Sequence, residues 1–216
     1  MVGLPARGKT FIAQRIRRYL QWLGISTKLF NVGNYRRKLC GAELKHDFFD
    51  SRNQEAAKMR QNAAMEALED MKSWFEEDVD GTAVAIYDAT NSRKDRRKII
   101  KEFCDKINVD VLFLESICTD ESLILQNIMQ VKVSSPDYAH MMPEEAAEDF
   151  KNRIRHYEEA YETMEESDLS FVQIVNVSSK VIINKISCFL QSRIVYYLVN
   201  LHIKPRSIYI SRVKMA

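Results

Sequence analysis

The chain has 216 residues, of which 46% are hydrophobic, and its 32 basic and 30 acidic residues leave a net charge of +2. This length and composition predict one globular domain with a substantial core. The near balance of charge excludes a bulk electrostatic attraction to nucleic acid or to a membrane, so we expect neither as a partner, and any basic site must be local.

The chain opens with "MVGLPARGKT", in which Gly3, Gly8, Lys9 and Thr10 complete the pattern G-x-x-x-x-G-K-[ST]. Glycines let backbone N–H groups approach phosphates, and the helix that follows points its N-terminus at them. Lys9 would reach the β- and γ-phosphates, and the Thr10 hydroxyl would hold Mg²⁺. The alternative is a Gly-Pro surface loop that happens to precede a helix. The periodic helix and the later acidic strand end favour the nucleotide interpretation.

Helical and strand-like segments alternate after this loop. Ile12, Ile16, Leu20 and Leu23 recur at helical spacing before a possible capping Gly24, and "TKLFNV" predicts a strand. A long helix is predicted from about residue 53 to 75, and Arg60 lies on its apolar face. An arginine in that place requires a partner anion, because an unpaired buried charge is costly.

The next strand, "TAVAIYDAT", ends in a carboxylate, Asp88. P-loop proteins place at such a strand end the residue that steers Mg²⁺ or accepts a proton, whereas in isolation it is commonly a turn residue. The loop and helix "NSRKDRRKIIKEF" follow, and the basic run 93–98 could alternatively be a nuclear-localisation or RNA-binding patch.

The second half continues the alternation. We predict a strand in "VDVLFLESIC", a short helix capped by Asp120, a turn in "SSPDY", a helix over about 143–164, a strand in "SFVQIVNV", an amphipathic helix over 181–200, a turn in "KPR" and a final strand in "RSIYIS". Strands alternating with helices predict an α/β fold with a mostly parallel sheet covered on both faces.

The four cysteines, Cys40, Cys104, Cys118 and Cys188, form no C-x-x-C pair. This scatter is typical of reduced thiols in the cytoplasm rather than of a disulfide frame or a zinc site. The apolar stretch 180–201 is interrupted by Lys185, Gln191 and Arg193, which argues against a membrane span. We find no secretory signal at the N-terminus.

Several arginines are expected at the carboxyl edge of the sheet, where α/β folds bind ligands. Arg36 and Arg37 follow the second strand, and Arg153 and Tyr157 share a helix face at i and i+4. For most surface arginines a solvated side chain or surface ion pair is the simpler explanation. The helix faces of Arg60 and Arg153 favour a phosphorylated small-molecule acceptor.

These residues resemble a known family. The segments "GLPARGKT", "FNVGNYRR", "YDATNSRKDRR", "LESIC", "NIMQVKVSSPDY" and "QSRIVYYLVNLHIKPRSIYI" are similar to the kinase half of 6-phosphofructo-2-kinase/fructose-2,6-bisphosphatase, from residue 1 to about residue 212. The resemblance implies an adenylate-kinase-like P-loop fold, a three-layer sandwich. It also implies transfer of the ATP γ-phosphoryl group, with Mg²⁺, to the 2-hydroxyl of fructose 6-phosphate. The kinase-like domain would span residues 1–205, and 206–216 would be the strand and tail where the phosphatase domain begins.

The resemblance also implies roles for individual residues. Those expected at ATP are Gly3, Leu4, Pro5, Ala6, Arg7, Gly8, Lys9, Thr10, Asn127, Ile128, Met129, Gln130, Val131 and Lys132. Those expected at the sugar phosphate are Arg36, Arg60, Thr90, Arg96, Lys132, Arg153 and Tyr157. Lys9, Asp88 and Cys118 match catalytic positions, and Thr10 and Asp88 match the metal site; a thiol at a strand end is more often simply packed.

Two departures from the family pattern lead to further expectations. The family has a full apolar strand before the loop, of which Met1 and Val2 supply at most the end, so we expect a truncated first strand. Removing ~4 buried strand residues would cost several kcal/mol. Arg212 is followed by Val213 where the bifunctional enzymes have an Arg-His-Gly motif, so we expect no phosphatase activity.

Two other functions remain open at this stage. A non-catalytic partner could bind nucleotide weakly and form homo-oligomers or pair with a full-length relative through exposed strand edges. An RNA-binding P-loop protein could use residues 93–98, although that run lacks interleaved aromatic residues.

Overall fold

The computed structural model describes residues 1–77, 81–176 and 179–201, with the side chain of Lys132 excepted. Helices and strands alternate as predicted: α1 (Lys9–Trp22), β1 (Ser26–Asn31), α2 (Val32–Cys40), α3 (Gln54–Glu77), β2 (Ala83–Asp88), α4 (Lys94–Lys106), β3 (Phe113–Ile117), α5 (Glu121–Asn127), α6 (Pro143–Glu158), β4 (Phe171–Val175), β5 (Lys180–Asn184) and α7 (Phe189–Val199). Short 3-10 helices lie at His46–Phe49 and Pro136–Tyr138, and a π-helical turn at Ile128–Lys132. The predicted final strand and the "KPR" turn lie outside the described residues.

The strands form a mostly parallel arrangement in two hydrogen-bonded groups. β1 pairs with β2 in parallel, and β3 pairs with β4 in parallel, while β5 joins β4 antiparallel. The segment 1–3 lies between the groups: the Met1 nitrogen donates to Tyr87 O at 2.8 Å, and Val2 forms a parallel bridge with Glu115. These three residues therefore occupy the position expected for the end of a first strand.

Apolar residues on alternate positions of the strands form two separate clusters. On β3, Phe113 packs in a cluster with residues of α3 and α4, while Leu114 packs in another with residues of α1 and α7. Neighbouring side chains of a strand point to opposite faces. Helices thus cover both faces, and the α/β prediction is confirmed.

Two predicted helices differ from the structure. The helix expected over 181–200 begins only at Phe189, because "KVIIN" is the antiparallel strand β5. Short apolar runs cannot be assigned to helix or strand by periodicity alone. The helix expected to reach residue 164 ends at Glu158. Beyond it, Tyr161, Thr163 and Met164 are drawn away from the helix axis by hydrogen bonds to the fully buried Glu115 carboxylate.

Helix ends follow the capping signals in the sequence. The Asp120 carboxylate accepts hydrogen bonds from the Ser122 and Leu123 backbone nitrogens at 3.0 and 3.1 Å, so the predicted cap of α5 is confirmed. Gly24, just beyond α1, has φ 78°. Among the helices of the described ranges, none combines the length and the hydropathy that a membrane crossing requires.

Candidate active site

One cavity of about 880 Å³ lies at the carboxyl ends of β1, β2 and β3. Its wall brings the loop before α1 together with side chains from α2, α3, α4 and α6. Parallel strands end at the same edge of a sheet, which is where open α/β folds bind ligands. Members of the two sets that the sequence predicted separately, for nucleotide and for sugar phosphate, therefore share one cavity.

The loop of residues 3–8 has a backbone that its glycines make possible. Gly3 has φ 130°, and a Cβ atom there would lie 2.5 Å from Ser116 O, so Gly3 allows close packing against β3. Gly8, at φ 77°, is the N-cap of α1. Residues 5–10 line the cavity, and the buried Lys9 donates from Nζ to Leu4 O at 2.6 Å. The lysine thereby closes the loop upon itself beside the helix N-terminus.

Asp88 lies where the sequence analysis placed it, at the end of β2 and against the start of α1. Its Oδ2 accepts hydrogen bonds of 2.7 Å from the Thr10 hydroxyl and from Asn31 Nδ2. Asn31 ends β1 and is in register with Asp88 in the parallel pair. The carboxylate is 3% exposed, so these two bonds fix its orientation within the wall of the cavity. A carboxylate and a hydroxyl this close are oxygen ligands of the kind that Mg²⁺ prefers.

The predicted nucleotide run 127–132 supports the loop more than it lines the cavity. Asn127 Nδ2 donates to Ala6 O at 3.0 Å, and Ile128 is buried in a cluster with Ala6. Asn127 and Val131 line the cavity, whereas Met129 and Gln130 are exposed to solvent. The predicted contacts of the Lys132 side chain fall outside the described side chains.

Another part of the cavity wall is formed by arginines around one carboxylate, Asp137. Arg36 Nη2 donates to both of its oxygens at 2.7 Å, Arg153 Nη1 donates at 3.2 Å and Arg37 Nη1 at 3.3 Å. The Arg153 guanidinium also lies 3.6 Å from the centroid of the Phe49 ring. Burial raises the pKa of Asp137, but the hydrogen bond from Arg36 and the nearby guanidiniums outweigh it, so the pKa falls below its usual value.

The remaining predicted sugar-phosphate residues lie beside this group. Arg60, on α3, donates to the carbonyl oxygens of Phe48 and Asp50, and Arg96 donates to Gln61 Oε1. Burial lowers the pKa of Arg60, and the neighbouring cations Arg153 and Arg96 lower it further, while Tyr157 opposes them. The predicted set on the cavity wall is Arg36, Arg60, Thr90, Arg96, Arg153 and Tyr157.

Three arginine nitrogens on the cavity wall are buried and have no hydrogen-bond acceptor in the described structure: Arg7 Nε, Arg36 Nη1 and Arg153 Nε. A buried donor without an acceptor costs about 1–3 kcal/mol. Burial also lowers the pKa of Arg7, and the Glu158 carboxylate, 3.4 Å away, offsets this lowering only in part. The wall therefore lacks acceptors, and an anionic ligand would supply them.

Cys118 lies just past β3 and lines the cavity, with Sγ 4.0 Å from Asp120 O. It is partly buried and, like Arg7, lines the cavity. Cys118 therefore lies in the same cavity as Lys9 and Asp88, but its described contacts do not give the thiol a chemical role.

Asn31, Asp137 and Phe49 are parts of this site that the sequence did not predict. Asn31 could have been found from the register of two adjacent strands that both end in polar residues. Asp137 follows a proline in "SSPDY", where an aspartate is common for reasons of turn geometry alone. Phe49 is one of many aromatic residues, and its contact with arginines depends on the tertiary fold.

The basic run 93–98 is largely paired within the protein. Arg93 lies 2.7 Å from Asp95, Lys98 lies 3.9 Å from Glu102, and Arg97 is completely buried against Glu166. Such a segment offers few free cations to phosphate groups of RNA. The structure thus gives no support to the RNA-binding hypothesis.

Comparisons with known proteins agree with this geometry. The family model described as 6-phosphofructo-2-kinase matches residues 1–205. The chain is 43% identical to 6-phosphofructo-2-kinase/fructose-2,6-bisphosphatase 3 of Rattus norvegicus, 46% to the 6-phosphofructo-2-kinase/fructose-2,6-bisphosphatase of Aquarana catesbeiana and 45% to that of Caenorhabditis elegans. Each match covers 98% of this chain and between 39% and 48% of the relative. The chain spans less than half the length of these curated relatives.

Proposed function

The chain belongs to the 6-phosphofructo-2-kinase family, and we propose that it transfers the γ-phosphoryl group of ATP to the 2-hydroxyl of fructose 6-phosphate. The product would be fructose 2,6-bisphosphate. The proposal concerns only this kinase reaction, which is the part of the relatives' names that the matched family model describes. It also includes the adenylate-kinase-like, three-layer arrangement that the resemblance implied.

A single observation carries the proposal: the phosphate-binding loop and the arginine wall line the same cavity. A kinase must bring donor and acceptor together, and phosphoryl transfer depends mainly on positioning and on stabilising charge. Lys9 and Arg153 thus line the same cavity. A protein that only bound nucleotide would not need the second, cationic wall.

The residues of the loop fit a nucleoside triphosphate with its magnesium ion. Thr10 Oγ1 and Asp88 Oδ2, 2.7 Å apart, supply hard oxygen ligands, and the N-terminus of α1 supplies a positive dipole end for phosphate oxygens. The metal would neutralise charge on the β- and γ-phosphates. Asn31 holds the orientation of the Asp88 carboxylate, and Lys9 adds a positive charge beside the loop.

The arginine wall fits the phosphate of the acceptor. The unused donors Arg36 Nη1 and Arg153 Nε are buried, and a phosphate would supply the acceptors that they lack. Guanidiniums bind phosphate through planar, charge-assisted hydrogen bonds. Arg60, Arg96 and Tyr157 line the same region of the wall. Holding the 6-phosphate there would leave the sugar ring between the arginine wall and the loop.

Within this arrangement the side chains of the protein would position the reactants and stabilise charge. Asp88 would steer the metal or accept the proton of the attacking hydroxyl, and the cationic groups would stabilise the charge of the transferring phosphoryl. The tyrosine hydroxyl of Tyr157 and the threonine hydroxyl of Thr90 are hydrogen-bonding groups suited to sugar oxygens.

The proposal is tested by incubating the purified chain with ATP and fructose 6-phosphate and examining the product. A phosphate on the anomeric 2-hydroxyl is released by mild acid, whereas one on the 1-hydroxyl survives. We expect ATP turnover that depends on fructose 6-phosphate and an acid-labile product. Acid-stable product, or no turnover by folded protein that still binds ATP, would contradict the proposal, and the latter would favour the non-catalytic partner.

A further inference from the structure

We propose that Asp137 is a positioning residue, which sets the geometry of the arginines that receive the phosphate of the acceptor. This inference rests on the proposed function and deepens it, because it assigns a role in the same cavity to a residue outside the predicted sets. Asp137 touches three guanidiniums and lies in the wall of the cavity.

The contacts of Asp137 divide the donors of Arg36 and of Arg153 into two groups. One nitrogen of Arg36, Nη2, is occupied by both carboxylate oxygens at 2.7 Å, while Nη1 of the same guanidinium is buried without an acceptor. Arg153 repeats this division, with Nη1 bound to Asp137 Oδ2 and Nε left without an acceptor. The carboxylate therefore fixes each planar fork while leaving one donor for a ligand.

The surroundings make Asp137 a rigid anchor. It is 6% exposed and lies in the 3-10 helix that begins at Pro136. The next residue, Tyr138, is 2% exposed and donates its hydroxyl hydrogen bond to Asp149 Oδ2 at 2.9 Å. A proline that fixes the backbone and a buried tyrosine on the other side leave the carboxylate little freedom to move.

Phe49 adds a second support beside the guanidiniums. Its ring centroid lies 3.6 Å from Arg153 Cζ and 5.4 Å from Arg36 Cζ. Long arginine side chains otherwise have much rotamer freedom, and ordering them on binding weakens affinity. A carboxylate on one edge and an aromatic ring beside them order two of these side chains before the ligand arrives.

The charges of the arginines and of Asp137 together favour the binding of a dianion. The three guanidiniums that contact Asp137 carry three positive charges, and the carboxylate offsets one of them. The remaining excess of two matches a phosphate monoester, which carries about −1.5 to −2 at neutral pH. Asp137 itself repels such a ligand, so its benefit must come from geometry rather than from charge.

Charge and geometry act on phosphate affinity in opposite directions, so the direction in which affinity changes distinguishes them. The substitution Asp137→Asn keeps the size of the side chain and removes its negative charge. If Asp137 acted only through charge, the variant would bind phosphate more tightly. A positioning role predicts weaker binding, because an amide holds guanidiniums poorly and contributes donors of its own.

The experiment compares KM for fructose 6-phosphate, KM for ATP and kcat in the full chain and in Asp137→Asn. We expect KM for fructose 6-phosphate to rise roughly 10- to 100-fold, as misplacement of binding groups does, with KM for ATP changed by less than about 3-fold. The control is Asp70→Asn, which alters a carboxylate that also accepts a hydrogen bond from a tyrosine, Tyr35, but does not line the cavity and, in the described structure, pairs with no arginine; it should leave both KM values unchanged. An unchanged or lower KM for fructose 6-phosphate in Asp137→Asn would overturn the proposal.

Two additions keep the outcomes separate. If Asp137→Asn does not fold, Asp137→Glu keeps the charge but displaces the carboxylate, and we expect its KM to lie between those of the wild type and of the arginine-deficient variant Arg153→Ala; a wild-type KM would overturn the proposal.

If the wild type shows no turnover, the proposed function fails. Calorimetry with inorganic phosphate then tests Asp137 alone, with weaker binding by Asp137→Asn supporting the role, and equal binding or no binding by either protein contradicting it.

Discussion

The Thr10 hydroxyl donates a 2.7 Å hydrogen bond to the Asp88 carboxylate, although 78 residues separate them along the chain. The contact joins the start of α1 to the end of β2, and Asn31 at the end of β1 donates to the same carboxylate oxygen. Two motifs that the sequence showed far apart therefore form one group of oxygen atoms at the edge of the sheet.

The first prediction concerns this group. Asp88→Asn should lower kcat by roughly 10²- to 10³-fold, comparable to the loss of one group that stabilises charge in a transition state. Asn31→Ala removes one of the two groups that orient Asp88, together with the N-cap of α2, and should lower kcat less. Steady-state kinetics over a range of Mg²⁺ concentrations checks both. Equal effects of the two substitutions would mean that Asp88 itself contacts neither metal nor substrate.

The second prediction concerns the loop lysine. Lys9→Met should abolish measurable turnover while the protein stays folded, because in the proposed reaction Lys9, which lines the cavity, would supply positive charge to the transferred phosphoryl. The control is Lys98→Met, on the exposed surface of α4, which should retain wild-type turnover. Turnover assays together with circular dichroism measure both properties. Wild-type turnover by Lys9→Met would remove this lysine from the mechanism.

The third prediction separates the acceptor end of the cavity from the donor end. Arg60→Ala should raise KM for fructose 6-phosphate by about 10- to 100-fold, because a hydrogen bond to a charged group contributes roughly 1.5–3 kcal/mol. KM for ATP should change little. Arg52→Ala, which removes an arginine whose side chain is 77% exposed, is the control and should leave both constants unchanged. A matching rise in KM for ATP would instead indicate a general loss of structure.

The fourth prediction concerns stability outside the site. Arg97 is completely buried, donates from Nε to Glu166 at 2.7 Å and from Nη1 to Glu162 O at 2.9 Å. Arg97→Met should lower the free energy of unfolding by about 3–5 kcal/mol, since it leaves a partly buried carboxylate without its partner. Arg93→Met, at an exposed ion pair, should cost no more than about 1 kcal/mol. Urea unfolding measures both free energies, and similar losses for the two variants would contradict a larger contribution from the buried Arg97 than from the exposed Arg93.

The fifth prediction concerns acid stability. The folded state lowers the pKa of Asp137, so its ionised form stabilises the protein above the unfolded value of about 3.9. That contribution is lost as pH falls below this value through the lower folded pKa. The difference in unfolding free energy between wild type and Asp137→Asn should therefore shrink between pH 7 and pH 3. A difference that stays constant would show that the charge of Asp137 does not stabilise the fold.

The sequence predicted the parts of this protein that local patterns control. The alternation of α1, β1, α3, β2 and α4 follows from apolar periodicity, and the loop and Asp88 follow from a motif with a known chemical purpose. Local patterns were insufficient where distant residues decide the outcome. β5 is a strand because β4 is beside it, and α6 ends at Glu158 because Glu115, from another strand, binds the residues beyond.

The same limit explains the missed residues of the site. Nothing near Asp137 in the chain shows that Arg36, Arg37 and Arg153 converge on it, since the nearest of them is 16 residues away. The predicted arginines were identified by helix faces and by resemblance. The carboxylate that arranges them could be found only from the folded structure.

The position of residues 1–3 between β2 and β3 has a consequence for how the protein folds. Val2 donates to Leu114 O and accepts from Ser116 N, while Gly3 donates to Thr90 O. Contacts so distant in sequence require the closure of long loops, which slows folding. The phosphate-binding loop therefore cannot take its final shape until β3 is in place beside it, and nucleotide binding should be one of the last properties that a refolding molecule acquires.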